Sequence, residues 1–328
     1  MFRPRLPKTT RRATLACIAA ALAAPGAMAQ GNFPSQPIKL IVGASPGGTT
    51  DALAREVGQE MGRVLHTTVI VENRPGAGGN IAADAVAKSA PDGYTLLMSY
   101  SSHTINASLF PKLPFDSVKD FTPISMVATA PTLLVAHPGV PVSNVKELID
   151  YAKKNPNKLS FALGGLGSSL HLATEQFKMR TGADIVNVPY KGTSPAVADL
   201  LAGHVQVMFS AIGNAVPHIK TGKIKLLAVT GPQRMKEFPN VPTVGETVPG
   251  FESIAWFGIL GPARMPAPLL ATLNSAIVKS LEAPAVRSRL LSESLDPMST
   301  TPAAFADFIV KDIARYEKIV KATGAKPE

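Results

Sequence analysis

The residues best placed to do chemistry are Ser45, Gly47, Gly48, Thr49 and Asp51, in the run Pro37-Ile-Lys-Leu-Ile-Val-Gly-Ala-Ser-Pro-Gly-Gly-Thr-Thr-Asp51. An apolar stretch breaks there at a glycine-rich turn. It resumes with Leu53, Ala54, Val57, Met61, Val64 and Leu65 at helical spacing, while Arg55, Glu56, Glu60 and Arg63 take the other face. The order is strand, loop, helix. A helix that begins at glycines offers unpaired backbone N–H groups at the positive end of its dipole, with no side chain barring an approaching anion. The chemistry this suggests is binding of a small anion. Asp51 reads two ways, as a first-turn acid that stabilises the dipole or as a group meeting an amine or hydroxyl on the ligand.

The same turn also matches G-x-S-x-G, the nucleophile elbow of hydrolases, from Gly43 to Gly47. In that chemistry the N–H after the nucleophile helps form the oxyanion hole, and the residue after Ser45 is Pro46, which has none. An esterase or amidase using Ser45 is therefore the minority reading. Asn73-Arg-Pro-Gly-Ala-Gly-Gly-Asn80 lacks the G-K-[ST] ending of a phosphate loop and reads as a tight turn into a helix. Gly164-Gly-Leu-Gly-Ser-Ser169 falls short of the dinucleotide fingerprint, because Leu170 stands where the third glycine belongs. It reads as a second anion loop, with Gly165, Gly167, Ser168 and Ser169 between a strand and a helix. Ser101 and His103 follow one further strand, and Tyr190, Gly192 and Thr193 another; ligands of α/β proteins sit at such carboxyl ends. Lys191 reads as solvated. The six histidines show no metal-ligand spacing, so no metal and no other cofactor is expected.

The elements that position these residues begin after a removable leader. Arg3, Arg5, Lys8, Arg11 and Arg12 precede an apolar segment, 13–24, and the A-x-A pattern Ala27-Met28-Ala29. That segment is too short to anchor in a bilayer, and no later stretch reaches the roughly 18 apolar residues of a membrane helix. Thr10-Arg11-Arg12-Ala13-Thr14-Leu15 loosely resembles a twin-arginine signal, so both that route and ordinary Sec export stay open. Cys17 is the only cysteine and lies within the leader, which excludes disulfides from the mature chain; too few residues separate it from Arg12 for a lipoprotein signal. Loss of residues 1–29 takes five basic residues and no acid, leaving 33 − 5 = 28 basic against 23 acidic, +5 in place of +10. With scattered cations and only 6% aromatic residues, a nucleic-acid partner is not expected.

Strand patterns fall at 38–42, 68–72, 94–98, 132–136, 159–163, 185–189, 205–209, 224–229 and 253–260. Helix patterns fall between most of them, at 51–65, 80–89, 145–154, 169–180, 196–202 and 215–220. Such alternation predicts parallel sheets covered by helices, an α/β class. The last third turns helical, at 268–282, 285–292 and 302–323, with Thr301 as N-cap, Pro302 opening the last helix and Gly324 closing it. The segments 126–137 and 224–231 are expected to cross between two domains. The division predicted is 1–29 as signal peptide, 30–125 with 232–328 as a discontinuous first domain, and 126–231 as the second.

Several motifs together resemble the receptors of tripartite tricarboxylate transporters, also called Bug receptors. They are Pro46-Gly-Gly-Thr-Thr-Asp51, Val71-Glu-Asn-Arg-Pro-Gly-Ala-Gly-Gly-Asn80, Ala90-Pro-Asp-Gly-Tyr-Thr-Leu-Leu97, Val188-Pro-Tyr-Lys-Gly-Thr-Ser-Pro-Ala196, Leu226-Leu-Ala-Val-Thr-Gly231 and Val241-Pro-Thr-Val244. The resemblance implies a type II periplasmic-binding-protein fold, with two α/β domains closing on a small carboxylate. It also implies a monomeric, non-enzymatic periplasmic receptor that delivers its ligand to a two-component integral membrane permease; a ligand-sensing subunit for a membrane signalling partner is the alternative. Relatives of this kind hold carboxylates through backbone N–H groups, hydroxyls and waters. Gly43-Ala44-Ser45 departs from the usual Pro-Phe/Tyr-Ala, and Gln206 and Ser210 stand where many relatives carry Asp, changes expected to alter the pocket and not the fold.

Overall fold

The computed structural model describes residues 33–164, 167–190 and 193–326. The leader therefore lies outside the described residues, as do Gly165, Lys191 and Gly192. Among the described residues no helix is long and apolar enough to cross a membrane.

The strands join in the order β2-β1-β3-β9-β4-β7-β5-β6, with β8 and β10 also pairing to β4. β1 (Ile38–Val42) lies parallel between β2 (Val69–Asn73) and β3 (Thr95–Tyr100), so the carboxyl ends of all three share one edge. Its burial is what a near-continuous apolar run requires of a central parallel strand. β9 (Ile254–Pro262) runs antiparallel to β3 and joins it to β4 (Phe121–Ala136). At 16 residues, β4 reaches about 50 Å. Its residues 121–131 pair with β9, and Thr132–Ala136 pair with β7 (Val207–Ala211) and largely with β8 (Lys225–Val229). β7 continues the second stretch through the parallel strands β5 (Ser160–Leu163) and β6 (Val186–Pro189). A two-residue strand, β10 (Asp296–Pro297), completes the set.

The long strand β4 spans both stretches of the sheet, and the segment expected to run beside it, 224–231, contains the shorter β8. β8 pairs with Leu133–Ala136 of β4 and, through Val229, bridges to Thr243, and the chain leaves it at a buried knot. There the hydroxyls of Thr132 and Thr230 lie 2.8 Å apart, and the Ser253 N–H donates to the Thr230 carbonyl at 3.1 Å. The stretch 232–251, placed in the first domain from sequence, also packs differently. Val244, Val248 and Phe251 enter the core around Phe161, Phe177 and Phe209 of the second stretch.

Helices cover both stretches. α1 (Thr49–Leu65) buries Leu53, Ala54, Val57 and Met61 at the predicted spacing. α2 (Asn80–Ala87) packs Ala82, Ala83 and Val86 in a core with Trp256 and Phe305. α3 (Ser102–Leu109) was not visible in the sequence pattern, because polar Ser102, His103, Thr104 and Asn106 are buried along with Ile105 and Leu109. α4 (Val145–Lys154), α5 (Ser169–Thr181), α6 (Thr193–Ala202) and α7 (Ile212–Lys220) cover the second stretch. After the single-turn α8 (Val244–Thr247), opened by a Thr243–Glu246 capping box, come α9 (Ala267–Glu282), α10 (Pro284–Ser292) and α11 (Pro302–Thr323). α11 has the expected ends: the Thr301 side chain accepts from the Ala304 N–H, and Gly324 at φ 65° donates to the Val320 carbonyl.

Candidate functional site

The turn after β1 is open, with Ser45 to Thr49 all exposed. Gly47 sits at φ +82°, a conformation that L side chains resist. Gly48 does not: at φ −84° and ψ 170° its backbone is ordinary, and a Cβ there would meet nothing closer than the Ser45 carbonyl at 3.7 Å. The Ala52 N–H closes the first turn of α1 on the Gly48 carbonyl at 3.0 Å. The Gly48, Thr49 and Thr50 N–H groups lead the helix start and have no partner among the described residues, as helix geometry requires of leading donors.

Gly47 is different, because its N–H donates to Asp51 Oδ2 at 2.9 Å. Asp51, 4% exposed, also accepts from Arg55 Nε at 3.1 Å and, through Oδ1, from Asn73 Nδ2 at 2.9 Å. Asn73 reaches the Ala44 carbonyl as well, at 3.0 Å, and Arg55 pairs with Asp51 Oδ1 at 3.0 Å. Burial pushes the Asp51 carboxyl up, but the Arg55, Gly47 and Asn73 hydrogen bonds outweigh it and hold the group below its usual range. Asp51 thus clamps the loop through its hydrogen bonds and engages the Gly47 N–H, which leaves Gly48, Thr49 and Thr50 as the leading donors of α1. Asn73 was missed as a member of this site, although its place at the carboxyl end of β2 marks it.

The turn after β2 lies alongside. Gly79 approaches Gly43 so closely that a Cβ on Gly43 would stand 2.8 Å from its Cα, and Tyr100 Oη donates to the Gly43 carbonyl at 3.3 Å. Ser101 is buried and its hydroxyl accepts from the Trp256 N–H at 3.0 Å, so it supports the turn after β3 from behind. His103 is buried behind that edge, where it lines a small cavity with Gly43, Gly79 and Tyr100. Its ring lies stacked against Phe115 and edge-on to Phe121, and Nε2 donates to the Ser117 carbonyl at 2.9 Å. Burial lowers its pKa to about 4, so it is a neutral, buried residue at ordinary pH.

A second edge forms at the carboxyl ends of the parallel strands β5, β6 and β7. Ser168 caps α5, its hydroxyl accepting from the His171 N–H at 3.3 Å, and Ser169 opens the helix. Gly167, at φ +75°, donates its N–H to His171 Nδ1 at 3.0 Å, which fixes that nitrogen as an acceptor. Thr193 opens α6 next to this loop: a Cβ on Gly164 would stand 3.1 Å from its hydroxyl. Tyr190 is anchored the other way, since Oη donates to Asp199 Oδ2 at 2.6 Å. Ser210 is fully buried with its hydroxyl on the Ala211 carbonyl at 3.1 Å. Gln206 joins β5 to the β7 entry, accepting from the Ser160 N–H and donating to the Gly203 carbonyl, so its departure from the family pattern touches strand packing and not a strand-end loop.

The two edges meet where Gly167 approaches α3; a Cβ there would stand 2.6 Å from Leu109 Cδ2. Leu109, Ile105 and Leu172 share a small core with Tyr316 and Val320 that ties α3, α5 and α11 together. Of the predicted residues, Ser45, Gly47, Gly48 and Thr49 line the first edge, and Gly167, Ser168, Ser169 and Thr193 the second. Ser101, Asp51 and Tyr190 support these loops through their side chains, His103 and Ser210 are buried, and Gly165 and Gly192 lie outside the described residues. Among the described residues no cluster of His, Cys, Asp or Glu could hold a metal ion. Among the described residues no histidine is bonded to the Ser45 hydroxyl, and Pro46, which follows it, lacks the N–H that an oxyanion hole would need there.

Two strand-end edges, each running into the start of a helix and linked by one long strand, describe a binding fold. Over residues 53–325 the chain matches the model of the tripartite tricarboxylate transporter family receptors. It belongs to that family. Its relatives include protein BugT of Bordetella pertussis, 39% identical over 310 residues that cover 94% of each chain. Among solved structures, R. palustris Rpa4515 with adipate is 34% identical, with a TM-score of 0.81 over 90% of this chain and 100% of the other. MatC from Rhodopseudomonas palustris with bound malate is also 34% identical, with a TM-score of 0.78 over 88% and 100%. The receptor therefore shares the α/β fold of periplasmic solute-binding proteins, and its family binds substrates without transforming them.

Proposed function

We propose that this receptor is exported to the periplasm and closes two α/β lobes on a small carboxylate, which it delivers to a two-component integral membrane permease. The observation that carries the reading is the run of leading N–H groups at Gly48, Thr49 and Thr50, unpartnered among the described residues, at the positive end of α1 behind the exposed turn 45–49. No Arg or Lys lies within the loop 45–49, so recognition rests on backbone donors there. Gly167, Ser168, Ser169 and Thr193 face the ligand from the second lobe, so that an anion bridging both edges stabilises the closed form. Adipate and malate in the related structures support the dicarboxylate class.

Larger grooves lie elsewhere, one of about 740 Å³ beside Arg55, Arg63 and His66 and one of about 950 Å³ between α5 and α11. Neither contains a strand-end loop residue, and convergent donors outweigh volume as a mark of an anion site. Mass spectrometry of whatever co-purifies with native protein, followed by calorimetric titration with that compound, tests the reading. Recovery of an intact carboxylate that rebinds supports it, and failure of every co-purified or added carboxylate to bind overturns it. Loss of uptake on gene deletion separates delivery to a permease from signalling alone.

A further inference from the structure

The groove between α5 and α11 has a chemistry that the strand-end edges lack. Along α11 it is lined by Phe308, Lys311, Arg315 and Lys318, which recur at helical spacing on one face. α5 supplies Met179 and Arg180, and the floor includes Trp256 and Ile254 from β9. Met179 and Met298, 47% and 45% exposed, are two of the large apolar side chains the molecule leaves open, and both line this groove. Methionine fills irregular apolar contacts readily, and an exposed apolar patch of this kind marks an interaction site.

The charges in the groove do not cancel. Arg180, Lys311, Arg315 and Lys318 face two acids, Glu252 and Asp312. Asp312 is already consumed: its carboxylate accepts from Thr104 Oγ1 at 2.6 Å, Trp256 Nε1 at 3.0 Å and Arg315 at 2.7 Å. Arg180 is held to the Pro249 carbonyl at 3.1 Å. Lys311 and Lys318 form no ion pair among the described residues. A purely polar anion would leave the methionines in water, and a neutral apolar molecule would leave the lysines without a partner. A volume of about 950 Å³ suits a small organic molecule.

We propose that this groove is a second binding site, for an amphipathic organic anion with an apolar body and one carboxylate or sulfonate head, separate from the strand-end edges. The body lies against Met179, Met298 and Phe308, and the head meets Lys311 and Lys318. The probe is 8-anilinonaphthalene-1-sulfonate added to folded mature protein, with octanoate as competitor. The single tryptophan, Trp256, lines the groove and reports proximity through its quenching as probe emission rises. Saturable one-site binding is expected, displaced by octanoate, weakened at least tenfold in Lys311→Glu/Lys318→Glu and unchanged in Gly48→Val. Absence of saturable binding, equal binding by the double variant, or loss in Gly48→Val overturns the proposal. Should the double variant fail to fold, Met298→Asp at an exposed position decides by the same criterion.

Discussion

Replacing Asp51 by alanine separates a loop clamp from a ligand contact. The carboxylate accepts three hydrogen bonds, from Gly47, Arg55 and Asn73, while only 4% exposed. Bonds to a charged acceptor contribute about 1.5–3 kcal/mol each. Water can reach the exposed Gly47 N–H and the half-exposed Arg55 after truncation, and Asn73 keeps the Ala44 carbonyl. The net loss is therefore that of about one such bond, roughly 1.5–3 kcal/mol, which lowers the melting midpoint by several degrees. A loop no longer fixed must be ordered when ligand binds, so affinity falls about tenfold, or about 1.4 kcal/mol. The pH dependence carries a matching sign. The folded carboxyl titrates below its unfolded value, so its stabilisation is present above the unfolded pKa and is lost as pH falls through the folded one. Asp51→Asn should remove that acid-side loss. Thermal melts and calorimetry on the same variants decide the point: abolished binding with an unmoved midpoint would make Asp51 a ligand contact and refute the clamp.

Three further outcomes are expected. Gly48→Val should fold normally, because its backbone is ordinary and its Cβ direction open, yet bind ligand at least tenfold more weakly than Lys191→Ala in parallel titrations; the reverse order would assign recognition to a charged side chain. Buried His103 takes up its proton only near pH 4, so the unfolded chain gains protons first as pH falls from about 6.5. Folding stability should then drop by up to about 3 kcal/mol between pH 6.5 and 4, and urea titrations of His103→Phe should show a flatter profile across that window. N-terminal sequencing of periplasmic protein should begin at Gln30, after Ala27-Met28-Ala29, whereas a functional pool that retains Met1 would rule out cleavage.

Local pattern carried much of the fold. The alternation of apolar runs and helical stripes placed β1, α1, α4 and α11 within two residues of their ends, because β1 is a near-continuous apolar run, α1 buries one periodic face, and α4 and α11 open at the side-chain caps Asn144 and Thr301. α3 escaped because it is buried on more than one side, and several of its polar groups take distant partners: Thr104 bonds Asp312 as well as the nearby Ser101 carbonyl, and Asn106 bonds Asn80. No periodicity encodes such partners. The glycine turn after β1 was legible as an anion site, but not the Asp51–Asn73 bond across it, which joins residues 22 apart. His103 reads as a cleft residue by its place after β3, and only the arrival of Phe115 and Phe121 around its ring shows it to be buried. Tyr190 likewise depended on Asp199, one helix further on.

A crystal structure of the receptor with its co-purified carboxylate tests the central claim most directly. The account predicts a carboxylate oxygen within about 2.7–3.2 Å of the Gly48, Thr49 or Thr50 nitrogen, with a second polar contact from Gly167, Ser168, Ser169 or Thr193. A carboxylate held by lysine or arginine side chains, with the start of α1 facing only solvent, would contradict it.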